Sequence, residues 1–155
     1  MPIPGFIVEI RKLIGQHEMW LPGVTAVVTR GDEILLVRRA DNGEWTPITG
    51  IPEPGEEPGR AAAREALEET GVEVSVDRLA STSAHPGVVH ANGDRASYLD
   101  LTFACTYLSG EAHVADDESS DVRWFPRDAM PEMAESMERR IADALSGEQA
   151  ARFVR

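Results

Sequence analysis

Residues 50–72 read GIPEPGEEPGRAAAREALEETGV, and this stretch determines how the rest of the chain is interpreted. Its first half is rich in glycine and proline, which is typical of a loop. Its second half predicts a helix over residues 57–70, because proline is tolerated in a first helical turn and Gly71 is well suited to end the helix. The stretch therefore predicts a loop that leads directly into a helix.

The predicted helix carries a stripe of carboxylates. At 100° per residue, Glu65, Glu68 and Glu69 fall within about 100° of one another. Like charges three and four residues apart each destabilise a helix by roughly 0.2–0.5 kcal/mol, and Arg64 can offset part of this repulsion by pairing with Glu68. The opposite side, which is expected to pack against the core, carries Gly59, Ala63, Ala66, Leu67 and Thr70.

This stripe is a candidate cation site. Carboxylate ligands without histidine or cysteine suit Mg²⁺ or Mn²⁺, and Glu56 in the preceding turn can add a fourth carboxylate. The alternative is a solvated acidic face on a surface helix. Two details favour the site: the acids cluster instead of alternating with basic residues, and they directly follow a loop whose backbone groups can reach a ligand.

The stretch resembles the signature of the Nudix hydrolases. The matching residues are Gly50, Glu56, Arg64, Glu65, Glu68, Glu69 and Gly71, with the aliphatic Val72 after them. Two positions depart from the usual pattern: Ala66 is smaller than the usual aliphatic residue, and Thr49 replaces a glycine in a loop whose proline lies one place early. These departures leave the path of the loop and its substrate contacts open.

The rest of the chain indicates a mixed α/β or α+β fold. The predicted elements are helices at 4–16 and 130–145, a hairpin of strands 24–30 and 33–39, strands at 72–83, 96–108 and 121–125, and a loop at 85–95. With the resemblance, these elements imply an αβα sandwich around a central mixed β-sheet. We expect a single domain over residues 1–155, since 155 residues suit one domain.

The resemblance implies a hydrolase that cleaves the pyrophosphate bond of a nucleoside diphosphate linked to another group. Candidate substrates are nucleoside triphosphates, ADP-ribose or other nucleotide-sugars, and dinucleotides. The implied cofactor is Mg²⁺, with Mn²⁺ as an option. Two alternatives stay open: a catalytically idle sensor with the same fold that binds a nucleotide, and a non-enzymatic scaffold.

The resemblance also implies roles for individual residues. Glu68 and Glu69 are the expected primary metal ligands, with Glu68 also counted as catalytic, and Glu65 is a ligand or the general base. Glu56 and the Gly50 carbonyl complete the expected metal set.

Further candidates lie outside this stretch. Glu118 is a candidate base from the far side of the site. The candidate substrate-binding residues are Arg38, Arg39, Trp45 and Arg64. Arg38 and Arg39 lie on opposite faces of one strand, so at most one of them can face the site. Trp45, Tyr98 and Trp124 can either stack on a base or belong to the core.

Composition excludes some partners. Acids outnumber bases 27 to 15, for a formal net charge of -12, which argues against binding a nucleic acid polymer or an anionic membrane. The single cysteine, Cys105, excludes an internal disulfide and favours a cytoplasmic location. A homodimer is an open alternative.

Overall fold

The computed structural model describes residues 3–155 and confirms a mixed fold with three helices. In chain order the elements are α1 (Gly5–Ile14), β1 (Met19–Arg30), β2 (Glu33–Arg39), β3 (Trp45–Thr46), β4 (Ile48–Gly50), α2 (Pro58–Thr70), β5 (Glu73–Val89), β6 (Arg95–Ser109), β7 (Ser119–Pro126) and α3 (Glu135–Leu145).

All seven strands belong to one mixed sheet. Its main order is β3-β2-β1-β6-β5, while β4 pairs with β1 and β7 pairs with β2. Only the β1–β6 pair is parallel among the described strands, with Met19 opposite Ala96 and Thr29 opposite Thr106. The antiparallel β1–β4 pair places Gly50 opposite Val24 in the middle of the sheet, which positions the loop that follows β4.

The two larger helices cover opposite faces of the sheet, as expected for an αβα sandwich. On one face, alanines of α2 pack with Val24, Ala26 and Val28 of β1. On the other face, Ile141 of α3 packs with Val27. Side chains of a strand alternate between faces, so this single strand contributes to both cores.

A buried polar network lies between α3 and the sheet. The Arg140 guanidinium lies 3.2 Å from the Asp100 carboxylate and donates a hydrogen bond to the Thr25 hydroxyl at 2.9 Å. Thr25 and Thr102 both donate to Asp100, at 2.8 and 2.7 Å. All four residues are less than a tenth exposed, so every charge in this network is paired out of contact with bulk water.

Three predicted element boundaries are wrong. β1 begins at Met19 and runs through Pro22-Gly23, because the parallel register with β6 continues across them. Val89 ends β5 inside the predicted 85–95 loop, since β5 follows β6 nearly to the turn through a bulge. The last helix begins at Glu135 instead of 130, because Pro131 disfavours helical geometry in the residue before it.

Within residues 3–155, no helix combines the length and the apolar character needed to span a bilayer. The first helix, Gly5–Ile14, falls inside the predicted 4–16 segment. The single-domain interpretation over residues 1–155 stays a prediction.

Candidate active site

Two of the acids on α2 lie on its buried face, contrary to the expected separation of acidic and packing sides. Glu65 and Glu69 are only 1% and 3% exposed. Leu67, which was expected to pack, is 47% exposed, and Glu68 also lies toward solvent. The buried residues of α2 are Ala61, Ala62, Glu65, Ala66, Glu69 and Thr70. Small alanines bring this face close to the sheet, and the two carboxylates are carried inward with them.

Glycine at position 50 makes room for Glu65. A Cβ atom built on Gly50 would overlap the carboxyl group of Glu65, so only glycine allows this side chain to lie against β4. Glu65 Oε2 is buried and has no hydrogen-bond partner among the described residues. An unpaired buried oxygen of this kind costs on the order of 1–3 kcal/mol, and more when it is charged, so the site favours a proton or a cation there.

Arg64 is the basic centre of the acid cluster. Its Nε and Nη2 donate to the two carboxylate oxygens of Glu56 at 2.8 and 2.9 Å. Its Nη1 donates to Glu65 at 2.9 Å and to Glu68 at 3.1 Å. The predicted Arg64–Glu68 pair is therefore present, and the same guanidinium also forms ion pairs with Glu56 and Glu65.

Burial gives the two inward carboxyl groups high pKa values. Desolvation raises the pKa of Glu65 to about 7, although Arg64 opposes the shift, and nearby Glu68 and Glu118 add to it. Desolvation raises the pKa of Glu69 to about 9, with the charges of Glu118, Glu65 and Asp116 adding to it. By contrast, the hydrogen bonds from Arg64 lower the pKa of Glu56. The cluster therefore holds more negative charge than its burial can accommodate without a cation or protons.

The loop at 110–118 is hydrogen-bonded to the end of α2, which brings Glu118 to the site. The backbone N–H groups of His113 and Ala115 donate to the carbonyls of Thr70 and Glu69, at 3.0 and 3.1 Å. At its other end, the Glu118 carbonyl accepts a hydrogen bond from the N–H of Ala40, just after β2.

Asp116 acts on the Glu69 carboxyl group as well, and the sequence interpretation missed it. The acidic run Asp116-Asp117-Glu118 was the available signal, but only the folded loop shows which of its members face α2.

The two candidate arginines, Arg38 and Arg39, are neighbours on β2, so their side chains point to opposite faces of the strand. Arg39 lies close enough to Glu118 and Glu69 for their charges to raise its pKa, after the larger effect of its hydrogen bond to Asp41. Arg38 donates instead to the carbonyl of Gly43 at 3.0 Å. The structure therefore brings Arg39 toward the acids, whereas the exposed Arg38 side chain lies against the turn that follows β2.

The aromatic candidates already pack against other side chains. The ring of Trp45 meets that of Phe125 edge-on, with a centroid distance of 4.9 Å, in the core beneath α3. Trp124 packs against Tyr107 at 5.6 Å. The Tyr98 hydroxyl hydrogen-bonds His90 Nε2 at 2.8 Å. These contacts favour the core interpretation over base stacking.

No three His, Cys, Asp or Glu side chains within residues 3–155 form a ready-made metal cluster. The donor set nevertheless fits a hard divalent cation. It consists of oxygens only, two of its carboxylates are buried, Glu65 lies against Gly50, and Glu65 Oε2 has no hydrogen-bond partner within residues 3–155. Electrostatically, the arrangement can hold a cation and, through it, an anionic substrate that the net charge of -12 would otherwise repel.

Comparison with known proteins agrees with this geometry. A family model described as NUDIX domain matches residues 19–145. A MutT-like protein from Streptomyces ambofaciens is 40% identical over 126 residues, which cover 80% of this chain and 76% of that protein. A NUDIX hydrolase from Nitrosomonas europaea is 26% identical, with a TM-score of 0.68, over 86% of this chain and 93% of that one.

A third relative is much longer than the matched region. The NAD-capped RNA hydrolase NudC from Pseudomonas aeruginosa is 36% identical over 118 residues, or 75% of this chain. The match spans only 40% of the length of NudC.

Proposed function

The chain belongs to the Nudix hydrolase family, and from that premise we propose that it hydrolyses the pyrophosphate bond of a nucleoside diphosphate derivative with the help of Mg²⁺ or Mn²⁺. The substrate class comprises nucleoside triphosphates, ADP-ribose and other nucleotide-sugars, and dinucleotides. The names of the relatives reported above do not select one member of this class.

The burial of Glu65 and Glu69, with Glu65 lying against Gly50, is the observation that carries the proposal. Two carboxylates that are nearly fully buried and have raised pKa values are costly for a fold to keep unless a cation offsets their charge. The residues that would hold the cation are Gly50, through its carbonyl, with Glu56, Glu65, Glu68 and Glu69. When bound, it would neutralise pyrophosphate oxygens and lower the pKa of the attacking water.

Side chains of the protein would position the metal-binding carboxylates, the attacking water and the substrate phosphate. Arg64 holds the Glu56, Glu65 and Glu68 carboxylates in fixed positions, so we assign it to positioning them and not to substrate binding. Glu118 is our candidate for accepting the proton of the attacking water, because its loop is anchored to the helix that carries the other acids. Arg39 is the candidate for binding a phosphate oxygen, since it lies on the acidic side of β2.

One observation favours the alternative, a nucleotide-binding sensor without activity. Arg64 already neutralises part of the cluster, and a permanent guanidinium there would take the place of a cation. The two functions differ in one readout: a sensor binds the nucleotide and leaves it intact.

The test is a screen of nucleoside diphosphate derivatives with Mg²⁺ in ¹⁸O-labelled water, with products identified by mass. We expect cleavage within the pyrophosphate, one labelled oxygen in one product, and near-complete loss of activity in Glu68→Gln. Glu57→Gln is the matched control, because Glu57 is exposed and makes no side-chain capping hydrogen bond. Intact substrates throughout the screen, or full activity in Glu68→Gln, would refute the proposal.

We also propose that the protein acts in the cytoplasm on small nucleotides and does not bind nucleic acid polymers. The free, buried Cys105 thiol suits a reducing compartment, and the acidic net charge disfavours polymeric phosphate.

A further inference from the structure

The imidazole ring of His113 lies directly against the end of helix α2. A Cβ atom built on Gly71, the residue that follows α2, would overlap this ring, so the ring can lie there only because residue 71 is glycine. Gly71 has a φ of +71°, a left-handed conformation that glycine adopts at low cost. The rest of the His113 residue is exposed, so the contact lies at the surface and outside the hydrophobic core.

A second close approach seats the same loop on the same glycine. A Cβ atom built on Gly110 would overlap the carbonyl oxygen of Gly71, so the chain that leaves β6 passes close over the end of α2. The His113 ring is held in turn by its own loop, because His113 Nδ1 lies 2.8 Å from the carbonyl oxygen of Glu111. A carbonyl can only accept a hydrogen bond, so Nδ1 is the donor in this contact. These contacts fix the orientation of the ring on Gly71.

The acids that act on the buried carboxylates of α2 follow His113 closely in the chain. The N–H groups of His113 and Ala115 donate to carbonyls of the last two residues of α2, which have no partner within the helix. Asp116 comes next, and its carboxylate accepts a hydrogen bond from the N–H of Glu118 at 3.0 Å. The charges of Asp116 and Glu118 both raise the pKa of Glu69, so both acids lie near that carboxyl group. The position of the loop on α2 therefore decides where Glu118 lies.

We propose that His113 is a positioning residue: by packing on Gly71, it keeps the loop seated on α2 and holds Glu118 where it can accept the proton of the attacking water. This inference rests on the proposed function, in which Glu118 is the candidate base. The hydrogen bonds between the loop and α2 are made by backbone groups, so replacing the His113 side chain loosens the loop and leaves the carboxylates of α2 in place.

Steady-state kinetics of His113→Ala, with a substrate from the screen, tests this role. We expect kcat to fall by at least about 10-fold, because a displaced general base loses part of a contribution of about 100-fold or more. KM should change much less, since Arg39, the candidate phosphate ligand, lies on β2. Val114→Ala is the matched control, because Val114 is the next residue of the loop and is 43% exposed. It should keep the wild-type kcat.

His113→Phe separates packing from chemistry at the ring. Phenylalanine keeps a flat ring and removes both nitrogens, so this variant should retain most of the wild-type kcat. If the imidazole itself transferred a proton, His113→Phe would be as slow as His113→Ala, and that result would overturn the proposal. A thermal melt of each variant verifies that it is folded.

A double variant tests whether His113 acts through Glu118. In a Glu118→Gln background, His113→Ala should lower kcat no further, because the effects of residues that act as a unit do not add. Additive losses would overturn the role of His113, as would a wild-type kcat in either single variant. A wild-type protein that cleaves nothing in the screen would refute the proposed function and this inference together, so the two kinds of failure are distinguishable.

Discussion

At position 50, the absence of a side chain lets the carboxyl group of Glu65 lie against the sheet. The sequence motif predicted that Gly50 and Glu65 belong to one site, but not that Glu65 is buried. Helix patterning assumes that charged residues face water, and here two charges lie among the packing alanines. The ion pairs of Arg64 with Glu56, Glu65 and Glu68 were also only partly predictable, because the fold of a loop brings Glu56 to Arg64.

Gly50→Ala should reduce kcat by about 100-fold or more, because a displacement of about 1 Å in a catalytic group has an effect of that size. The added methyl group would push the Glu65 carboxyl group out of place. Steady-state kinetics with a substrate from the screen measures this. Gly23→Ala is the control, since its nearest contact would be an ordinary 3.6 Å to Tyr98. Unchanged kcat in Gly50→Ala would show that the position of Glu65 does not matter.

The cation-free protein should lose stability as the pH rises. The pKa values of Glu65 and Glu69, about 7 and about 9, both lie above the ordinary 4.5. The folded state therefore holds protons that the unfolded state releases, and this stabilisation, complete below pH 4.5, is lost as the pH rises through 7 and 9. Urea unfolding in EDTA at several pH values measures this loss of stability.

Glu69→Gln tests the assignment of this pH dependence, because glutamine resembles the protonated acid. The free energy of unfolding of the variant should depend less on pH than that of the wild type. At alkaline pH the variant should be the more stable of the two proteins. If the free energy of unfolding changed with pH in the same way in both proteins, Glu69 would not be the titrating group.

Helices and strands whose ends carry strong sequence signals, such as a glycine, could be predicted. The extent of a strand that depends on pairing with a distant strand could not. The turn at Gly31-Asp32 and the helix ending at Gly71 follow from their glycines. Strand β5 continues through Pro86 because β6 supplies a partner across a bulge, which no local pattern shows. The contact between α3 and the sheet likewise depends on Asp100 and Arg140, forty residues apart in sequence.

Removing the charge of Asp100 should destabilise this contact strongly. Asp100→Asn leaves the buried Arg140 charge unpaired, and losing one partner of a buried ion pair costs about 3–5 kcal/mol. Urea unfolding at neutral pH gives the change in the free energy of unfolding. The control is Glu33→Gln, which breaks the exposed Arg30–Glu33 pair and should cost less than about 1 kcal/mol. Equal costs for the two variants would argue that the buried network contributes no more than a surface pair.

At the scale of the whole molecule, the fold places acids from separate parts of the chain around one helix. The motif accounts for Glu56, Glu65, Glu68 and Glu69, and the sheet brings Glu118 toward them through the loop after β6. A protein of net charge -12 that acts on anionic substrates needs a cation between its carboxylates and the substrate. We infer that this cation binds at the cluster. The sequence predicted the family and the mixed sheet, but it did not predict that Glu65 and Glu69 are buried.

The most direct test of the cation site is the melting temperature of the protein as Mg²⁺ is added at pH 8, measured in parallel for wild type, Glu69→Gln and the control Glu57→Gln. A ligand that binds only the folded state raises the melting temperature in proportion to its affinity. Wild type and Glu57→Gln should rise together with Mg²⁺ concentration, while Glu69→Gln should stay nearly flat. An equal rise in all three proteins would contradict the account, because the buried carboxylates would then not be what binds the cation.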